Sequence, residues 1–217
     1  DEHRPAARSD GSYGTPVFRA IMGVQQCIVL PLEWAALTFS SRSGNAPHLM
    51  SAVPIDTSPL RRAPLFLIAG CHGSLHWALA TFYVLLPFIQ HHLGITYAET
   101  GLLASMVHVV SLAANVPSGA LVDVTGRRVA CQLTALLAGA EGIGALGIVT
   151  SFWAVIAFVG ILAAMNTLWH PAAISFLSST YPERRGMALL IHTVNQNLGD
   201  ALAPITIGAC IAAMGWQ

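Results

Sequence analysis

Polar side chains recur at helical spacing inside stretches that are otherwise apolar. His192, Gln196 and Asp200 follow one another at steps of four residues, and His72 and His76 are also four apart. Steps of four place side chains on one face of an α-helix. Polar groups in apolar surroundings normally face other helices or a water-filled cavity, so these faces predict one central cavity. Its predicted lining is His72, His76, Tyr83, His108, Asn115, Asn166, His170, His192 and Gln196.

Two carboxyl groups, Glu141 and Asp200, lie near the middle of such apolar stretches. Removal from water favours the neutral form of a carboxyl group, so such a group can take up and release a proton near neutral pH. Both residues are therefore predicted to couple protons to function. For Glu141 an alternative is a protonated carboxyl that only holds helices together, because small residues that permit close packing surround it. These are the pairs Ala135/Gly139, Ala138/Gly142 and Ala140/Gly144.

The histidines allow other chemistry. His72 and His76 could bind a metal, but no carboxylate or thiolate shares their helix face, and metal sites need three or four ligands. Such histidines can instead hydrogen-bond a neighbouring helix, and His170 can bond the carbonyl that Pro171 frees. A rival function is membrane electron transfer, with haem on axial histidines. The five histidines concerned are His72, His76, His108, His170 and His192. We predict no metal, no cofactor and no enzymatic activity.

The composition indicates that these residues lie in a membrane protein. Hydrophobic residues make up 54% of the 217 residues and charged residues 9%, and the mean hydropathy is +0.62. Soluble domains carry roughly 25% charged residues, so the chain is predicted to be a polytopic membrane protein. Ten Arg and no Lys balance ten acids, which argues against nucleic acid, since that partner needs a basic excess. Four scattered cysteines form neither a zinc motif nor a disulfide framework.

Five stretches are long and apolar enough to cross a bilayer, which takes about 20 residues. They predict an all-α transmembrane bundle, residues 64–217, in contact with lipid. The predicted helices are Leu65–Gln90, Gly101–Val122, Val129–Thr150, Phe152–Ser179 and Met187–Met214.

Residues 1–63 differ in kind, being rich in Ser, Pro, Ala and Arg. Within them Val17–Phe39 is apolar but is interrupted by Arg19, Glu33 and Pro31. Each charge at mid-bilayer costs about 2.5–3.5 kcal/mol, so this stretch is predicted to be interfacial or poorly ordered. The whole segment is predicted to be a poorly ordered cytoplasmic N-terminal segment.

Arginine fixes the predicted orientation. Arg61 and Arg62 precede the first span, and arginine pairs also occur between spans two and three and between spans four and five. The two other connections contain no Arg. Because cytoplasmic loops carry the excess of positive charge, the N-terminus is predicted to be cytoplasmic, in the cell (plasma or inner) membrane. Trp216 fits the outer aromatic belt.

The connection between spans two and three carries a motif. Gly119 is followed by Asp123 four residues later and then by Gly126, Arg127 and Arg128. A carboxylate beside the start of a helix can accept from its free amides, and Asp123 is predicted to hold either these amides or an arginine in one state and to release it in another. This stretch resembles the loop signature of the major facilitator superfamily between transmembrane helices 2 and 3. Val124 departs from it, since the family usually has Arg or Lys directly after the acid.

The fifth span carries a second resemblance. Gly199, Pro204 and Gly208 match the superfamily's antiporter motif, while Ala203 and Ile207 stand where it has glycine. The physical role of the motif is a kinked, closely packed helix that can rock. The Tyr181–Gly186 loop and the run around Pro171 resemble the fosmidomycin-resistance-like and drug or metabolite exporter branches.

These resemblances imply a function and a larger assembly. A facilitator half has six helices in two inverted repeats, so the chain would supply five of the first six helices of that fold and would be a piece of a transporter whose C-terminal half is missing. The implied activity is secondary transport of a small molecule by alternating access, proton-coupled, with export favoured. Asp123, Arg127 and Arg128 would stabilise one gate state. A third possibility is a non-transporting membrane fragment.

Overall fold

Five long helices make up nearly all of the structure. The computed structural model describes the backbone of residues 59–214 and the side chains of residues 62–214. A one-turn 3₁₀ helix, Leu146–Ile148, follows the third helix, and another, Pro182–Arg184, precedes the fifth. The helices are α1 (Pro59–Leu93), α2 (Tyr97–Thr125), α3 (Arg128–Ala145), α4 (Phe152–Thr180) and α5 (Arg185–Met214).

All five helices are long and apolar enough to cross a membrane. The mean hydropathy of their most apolar windows runs from 1.3 in α1 to 1.8 in α4. No strand occurs between residues 59 and 214. The predicted all-α transmembrane bundle is thus confirmed, and the chain is an integral, multi-pass membrane protein.

Three helix boundaries differ from the predicted ones by four residues or more. α1 begins at Pro59, so residues 59–63 belong to a helix rather than to the N-terminal segment. α2 begins four residues before the predicted Gly101, because Thr96 and Glu99 form a capping box that satisfies free amides at the helix start. The α-helical part of α3 ends at Ala145 and not at Thr150.

Two interfaces hold the bundle together. α1 packs along α5, and the two helices run in parallel, since His72 meets His192, His76 meets Asp200 and Trp77 meets Thr206. α4 lies against α2 and α3. The interior of its contact with α3 is apolar: Leu162 is fully buried and packs against Gly139 and Gly142 of α3.

The arginine-bearing connections lie at one end of the bundle. Arg128 at the start of α3 donates from Nη1 to Ser179 Oγ at the end of α4, at 3.0 Å. The end of α4 leads within a few residues to Arg184 and Arg185 at the start of α5. Arg62 near the start of α1 lies at the same end because α1 is parallel to α5. This arrangement agrees with the charge asymmetry; which side of the membrane it occupies stays a prediction.

Some predictions concern residues outside those described. The interfacial assignment of Val17–Phe39, the character of residues 1–58 and the placement of Trp216 belong to this group.

Candidate functional site

Four histidines from three helices meet inside the bundle. We call His72, His76, His170 and His192 the histidine cluster. The rings of His72 and His192 are stacked, with centroids 3.7 Å apart and an angle of 5° between their planes. His76 and His170 stand edge-on to His72, with centroids 4.8 and 5.0 Å from it. The cluster therefore joins α1, α4 and α5, and it forms only when these three helices pack together.

In three of these rings the Nδ1 atom lies at hydrogen-bond distance from an oxygen atom. His72 Nδ1 donates to the backbone carbonyl of His192 at 3.0 Å. His170 Nδ1 donates to the carbonyl of Asn166 at 2.7 Å. His76 Nδ1 lies 3.3 Å from Asp200 Oδ1. Pro171 has no amide hydrogen, so the carbonyl that it leaves free is that of Thr167, four residues earlier. The sequence predicted that His170 bonds this carbonyl, but His170 bonds the preceding one, that of Asn166.

The centre of the cluster is polar, buried and incompletely paired. His72, His76 and His192 are each at most 8% exposed. Within the described part of the chain, His76 Nε2, both ring nitrogens of His192 and Asn166 Oδ1 are buried without a hydrogen-bond partner. Buried polar atoms are nearly always paired in proteins, so these atoms indicate a place where a polar ligand or water binds.

Two glycines bring α1 and α5 close enough to form the cluster. A Cβ on Gly199 would overlap the backbone carbonyl of Gly73, and a Cβ on Gly73 would lie 2.7 Å from the Asn195 carbonyl oxygen. Backbones in such contact leave no room for any side chain. The close packing predicted from the α5 motif is therefore present at Gly199, whereas Gly208 has open space around it and Pro204 is exposed.

Other predicted cavity residues lie elsewhere. Tyr83 and His108 are exposed, and Tyr83 Oη is 3.5 Å from His108 Nε2, which makes a separate pair between α1 and α2. Asn115 is exposed on α2, and Gln196 is half-buried on α5. Asn166 is buried beside His170. The structure thus unites five of the nine predicted residues: His72, His76, Asn166, His170 and His192.

The two predicted carboxyl groups have different surroundings. The side chain of Asp200 is 45% exposed and contacts His76. Glu141 is exposed on α3, and the described residues offer it no hydrogen-bond or ion-pair partner. Of the two, only Asp200 therefore contacts the histidine cluster. The small residues near Glu141 do pack closely, since a Cβ on Gly139 would lie 3.2 Å from Leu75 and one on Gly142 would lie 3.4 Å from the Phe158 carbonyl oxygen.

The loop motif forms a helix end and a turn. Gly126 has φ 61°, a left-handed conformation that favours glycine, and its amide donates to the Val122 carbonyl. Asp123 is exposed in the last turn of α2, and the start of α3 has no side-chain cap. In this conformation Asp123 does not cap α3, because it still belongs to α2, and its predicted role in another state stays a prediction. A negative charge at a helix C-terminus opposes the helix dipole.

A groove between α1 and α5 was not predicted from the sequence. It has a volume of about 280 Å³, and its lining includes Gly70, Ser74, Trp77, Asn195, Leu198 and Thr206. Trp77 Nε1 donates to Thr206 Oγ1 at 2.8 Å across it. The predicted cavity residues are not among those lining it. Its signal in the sequence is the small-residue run Gly70, Gly73 and Ser74, which has the spacing of a close helix contact.

Comparison with known proteins adds two findings. The family model described as Major Facilitator Superfamily matches residues 66–217. The relative "Uncharacterized MFS-type transporter YfnC" of Bacillus subtilis (strain 168) is 24% identical over 153 residues, which is 70% of this chain and 37% of the relative. The chain thus spans little more than a third of the length of that relative. No solved structure gives a significant match.

Proposed function

This chain belongs to the Major Facilitator Superfamily, and from that premise we propose that it forms part of a secondary transporter that moves a small molecule across a membrane by alternating access. The observation that carries the proposal is the histidine cluster together with its unpartnered buried polar atoms. Polar groups in hydrocarbon mark substrate or ion pathways. The relative from Bacillus subtilis is named as a transporter, which supports the same function.

The substrate class follows from the charges available. Between residues 65 and 122, in α1 and most of α2, the only charged side chain is Glu99, and residues 152–179 of α4 contain none. No arginine is therefore available in these segments to bind a carboxylate or phosphate. We expect a small neutral, zwitterionic or amphiphilic molecule.

A gate at the 119–128 loop is part of the proposal. Asp123 has no ion-pair or hydrogen-bond partner among the described residues, and Arg127 is exposed close by. An exposed acid next to two arginines, at the end of a helix, can gain a partner when the helices rearrange. We expect Asp123 to be paired in one state of the transport cycle and free in the other.

Electron transfer through haem is not favoured. His72 Nε2 and His170 Nε2 face each other at 3.3 Å, which leaves no room for a macrocycle between them. The loop motif also has no role in a haem protein.

Proton coupling, antiport and export stay predictions from the sequence. Flux in vesicles with an imposed pH gradient checks them. If protons drive export through Glu141 or Asp200, then Glu141→Gln or Asp200→Asn abolishes the response to the gradient. Flux that ignores the gradient in the unmodified protein contradicts the prediction.

The transport proposal itself is tested with cells that express the full protein, including this chain. Cells are exposed to a panel of small amphiphilic and zwitterionic compounds, and accumulation is read by mass spectrometry. We expect at least one compound to differ between the unmodified protein and Asp123→Asn at equal membrane abundance. Accumulation identical to that of cells without the protein, for every compound, would falsify it.

A further inference from the structure

Three histidines of the cluster have a fixed tautomer. A carbonyl oxygen can only accept a hydrogen bond, so His72 Nδ1 and His170 Nδ1 both carry the hydrogen that they donate to the carbonyls of His192 and Asn166. His76 Nδ1 faces the Asp200 carboxylate and carries a hydrogen for the same reason. In a neutral imidazole the second nitrogen then holds a lone pair. The Nε2 atoms of all three rings are therefore acceptors.

These acceptors lie together, and no described residue donates a hydrogen bond to them. His72 Nε2 and His170 Nε2 are 3.3 Å apart, so two lone pairs face each other at hydrogen-bond distance. His76 Nε2 is buried and has no partner among the described residues. One ligand nitrogen from each of the three rings lies within 4.8 Å of the others. Facing lone pairs repel each other unless a cation lies between them.

The distances suit a metal ion. Two nitrogens bound tetrahedrally at about 2.0–2.1 Å from Zn²⁺ are about 3.3–3.4 Å apart. The 3.3 Å between His72 and His170 has this value. The three ligand nitrogens lie within 4.8 Å of one another, so His76 must approach by up to about 1.5 Å to complete the same triangle, which a side-chain rotation can supply.

The hydrogen bonds on the far side of each ring support the same conclusion. Histidines that bind metals almost always donate their other N–H to a carboxylate or a backbone carbonyl, which fixes the ring. All three histidines do so here, through the partners already named. Asp200 adds a negative charge beside the site. This set of partners was not visible along α1, where His72 and His76 have no third ligand on their own helix.

We propose that His72, His76 and His170 bind a transition-metal cation of the Zn²⁺ class through their three Nε2 atoms. Imidazole ligands suit Zn²⁺, Ni²⁺, Cu²⁺ and Fe²⁺, whereas Mg²⁺ and Ca²⁺ take oxygen ligands. Three protein ligands leave a fourth position of a tetrahedral ion open to water or another small ligand. The ion would join α1 to α4 directly and α5 through Asp200. The inference does not depend on transport.

Metal binding to the purified full protein in detergent, without a histidine tag, tests the proposal. Zn²⁺ affinity is measured by equilibrium dialysis, and Co²⁺ binding is followed by its visible spectrum, whose intensity reports tetrahedral geometry. We expect one bound ion and at least a tenfold loss of affinity in His72→Ala, His76→Ala and His170→Ala. His91→Ala is the matched control, since His91 is exposed near the end of α1, and it should keep the site.

Asp200 is predicted to be a positioning residue for this site. Asp200→Asn should weaken Zn²⁺ binding about 10- to 100-fold, as loss of such a partner does elsewhere, and Asp200→Glu should restore part of it. Size-exclusion profiles show whether each variant is folded.

Two results overturn the proposal. In the first, the unmodified protein is folded but binds Zn²⁺ and Co²⁺ no better than a variant that carries both His72→Ala and His170→Ala. In the second, the single variants His72→Ala, His76→Ala and His170→Ala bind the metal as tightly as His91→Ala does. Either would mean that the histidine cluster does not bind a metal ion. Because binding is read without any flux measurement, failure here is distinct from failure of the transport proposal.

Discussion

The α1–α5 and α3–α4 interfaces are both built on glycine, yet they contain different chemistry. At the α3–α4 interface, Gly139 and Gly142 receive the apolar side chain of Leu162. At the α1–α5 interface, Gly73 and Gly199 bring two backbones into contact, and histidines and a carboxylate lie beside them. The interior of the α3–α4 interface is apolar and its Arg128–Ser179 hydrogen bond lies at the exposed end, whereas the α1–α5 interface carries polar contacts inside the bundle.

This difference separates stability from function. Transmembrane helices associate through close packing, because lipid is as apolar as a leucine side chain. An apolar interface such as α3–α4 can supply that packing and nothing more. Polar groups in hydrocarbon are costly and persist where they serve a pathway or a ligand, so α1–α5 is the interface expected to take part in function. Four predictions test this contrast.

The largest effect is expected at Gly199. In Gly199→Leu the new side chain would overlap the backbone of Gly73. A backbone cannot move aside as a side chain can, so α1 and α5 must separate. We expect little folded protein, measured as monodisperse material after detergent extraction. Gly208→Leu is the control, because Gly208 has open space around it; equal loss in both variants would contradict the role of the Gly73–Gly199 contact.

A large loss of stability with intact metal binding is expected at the apolar interface. Leu162 is fully buried and Leu162→Ala leaves a cavity, so the free energy of unfolding should fall by about 1–3 kcal/mol through lost packing, since lipid supplies no transfer term. Denaturant unfolding in mixed micelles measures it. The folded fraction should bind Zn²⁺ as the unmodified protein does. A loss of metal affinity without a loss of stability would show that the two interfaces are not separate in function.

A functional effect without a large stability loss is expected at Asp200. Asp200→Asn keeps an acceptor oxygen on a side chain that is 45% exposed, so stability should change little, whereas flux should fall by roughly tenfold or more because His76 loses its charged partner. Flux per folded transporter in proteoliposomes measures it. Glu183→Gln, which changes an exposed acid in the 3₁₀ helix before α5, serves as the control. Unchanged flux in Asp200→Asn would remove Asp200 from the functional interface.

The smallest change in stability is expected at the 119–128 loop. Asp123 is exposed and opposes the dipole of α2, so Asp123→Asn should leave the free energy of unfolding within about 0.5 kcal/mol of the unmodified value. Flux should nevertheless fall several-fold, because the gate partner is lost. Normal flux at normal expression would show that the loop has a structural role only.

The sequence by itself determined the class of the protein and its spans. Hydropathy and length are local properties, so five apolar runs predict five helices without knowledge of their packing. The turn at Gly126 and the side of the bundle that carries arginine were also readable, because each depends on residues close in the chain. The earlier start of α2 was readable in principle from Thr96 and Glu99, which form a capping box.

Only the tertiary structure decided which polar residues meet. His72 and His170 are 98 positions apart, and His76 and Asp200 are 124 apart. Helix periodicity gives the face of one helix and carries no information about the rotation of that helix against another. Glu141 and Asp200 look alike in the sequence, yet one is exposed on α3 and the other contacts the histidine cluster. That outcome rests on the close contact of Gly73 with Gly199, which sets the rotation and depth of α5 against α1.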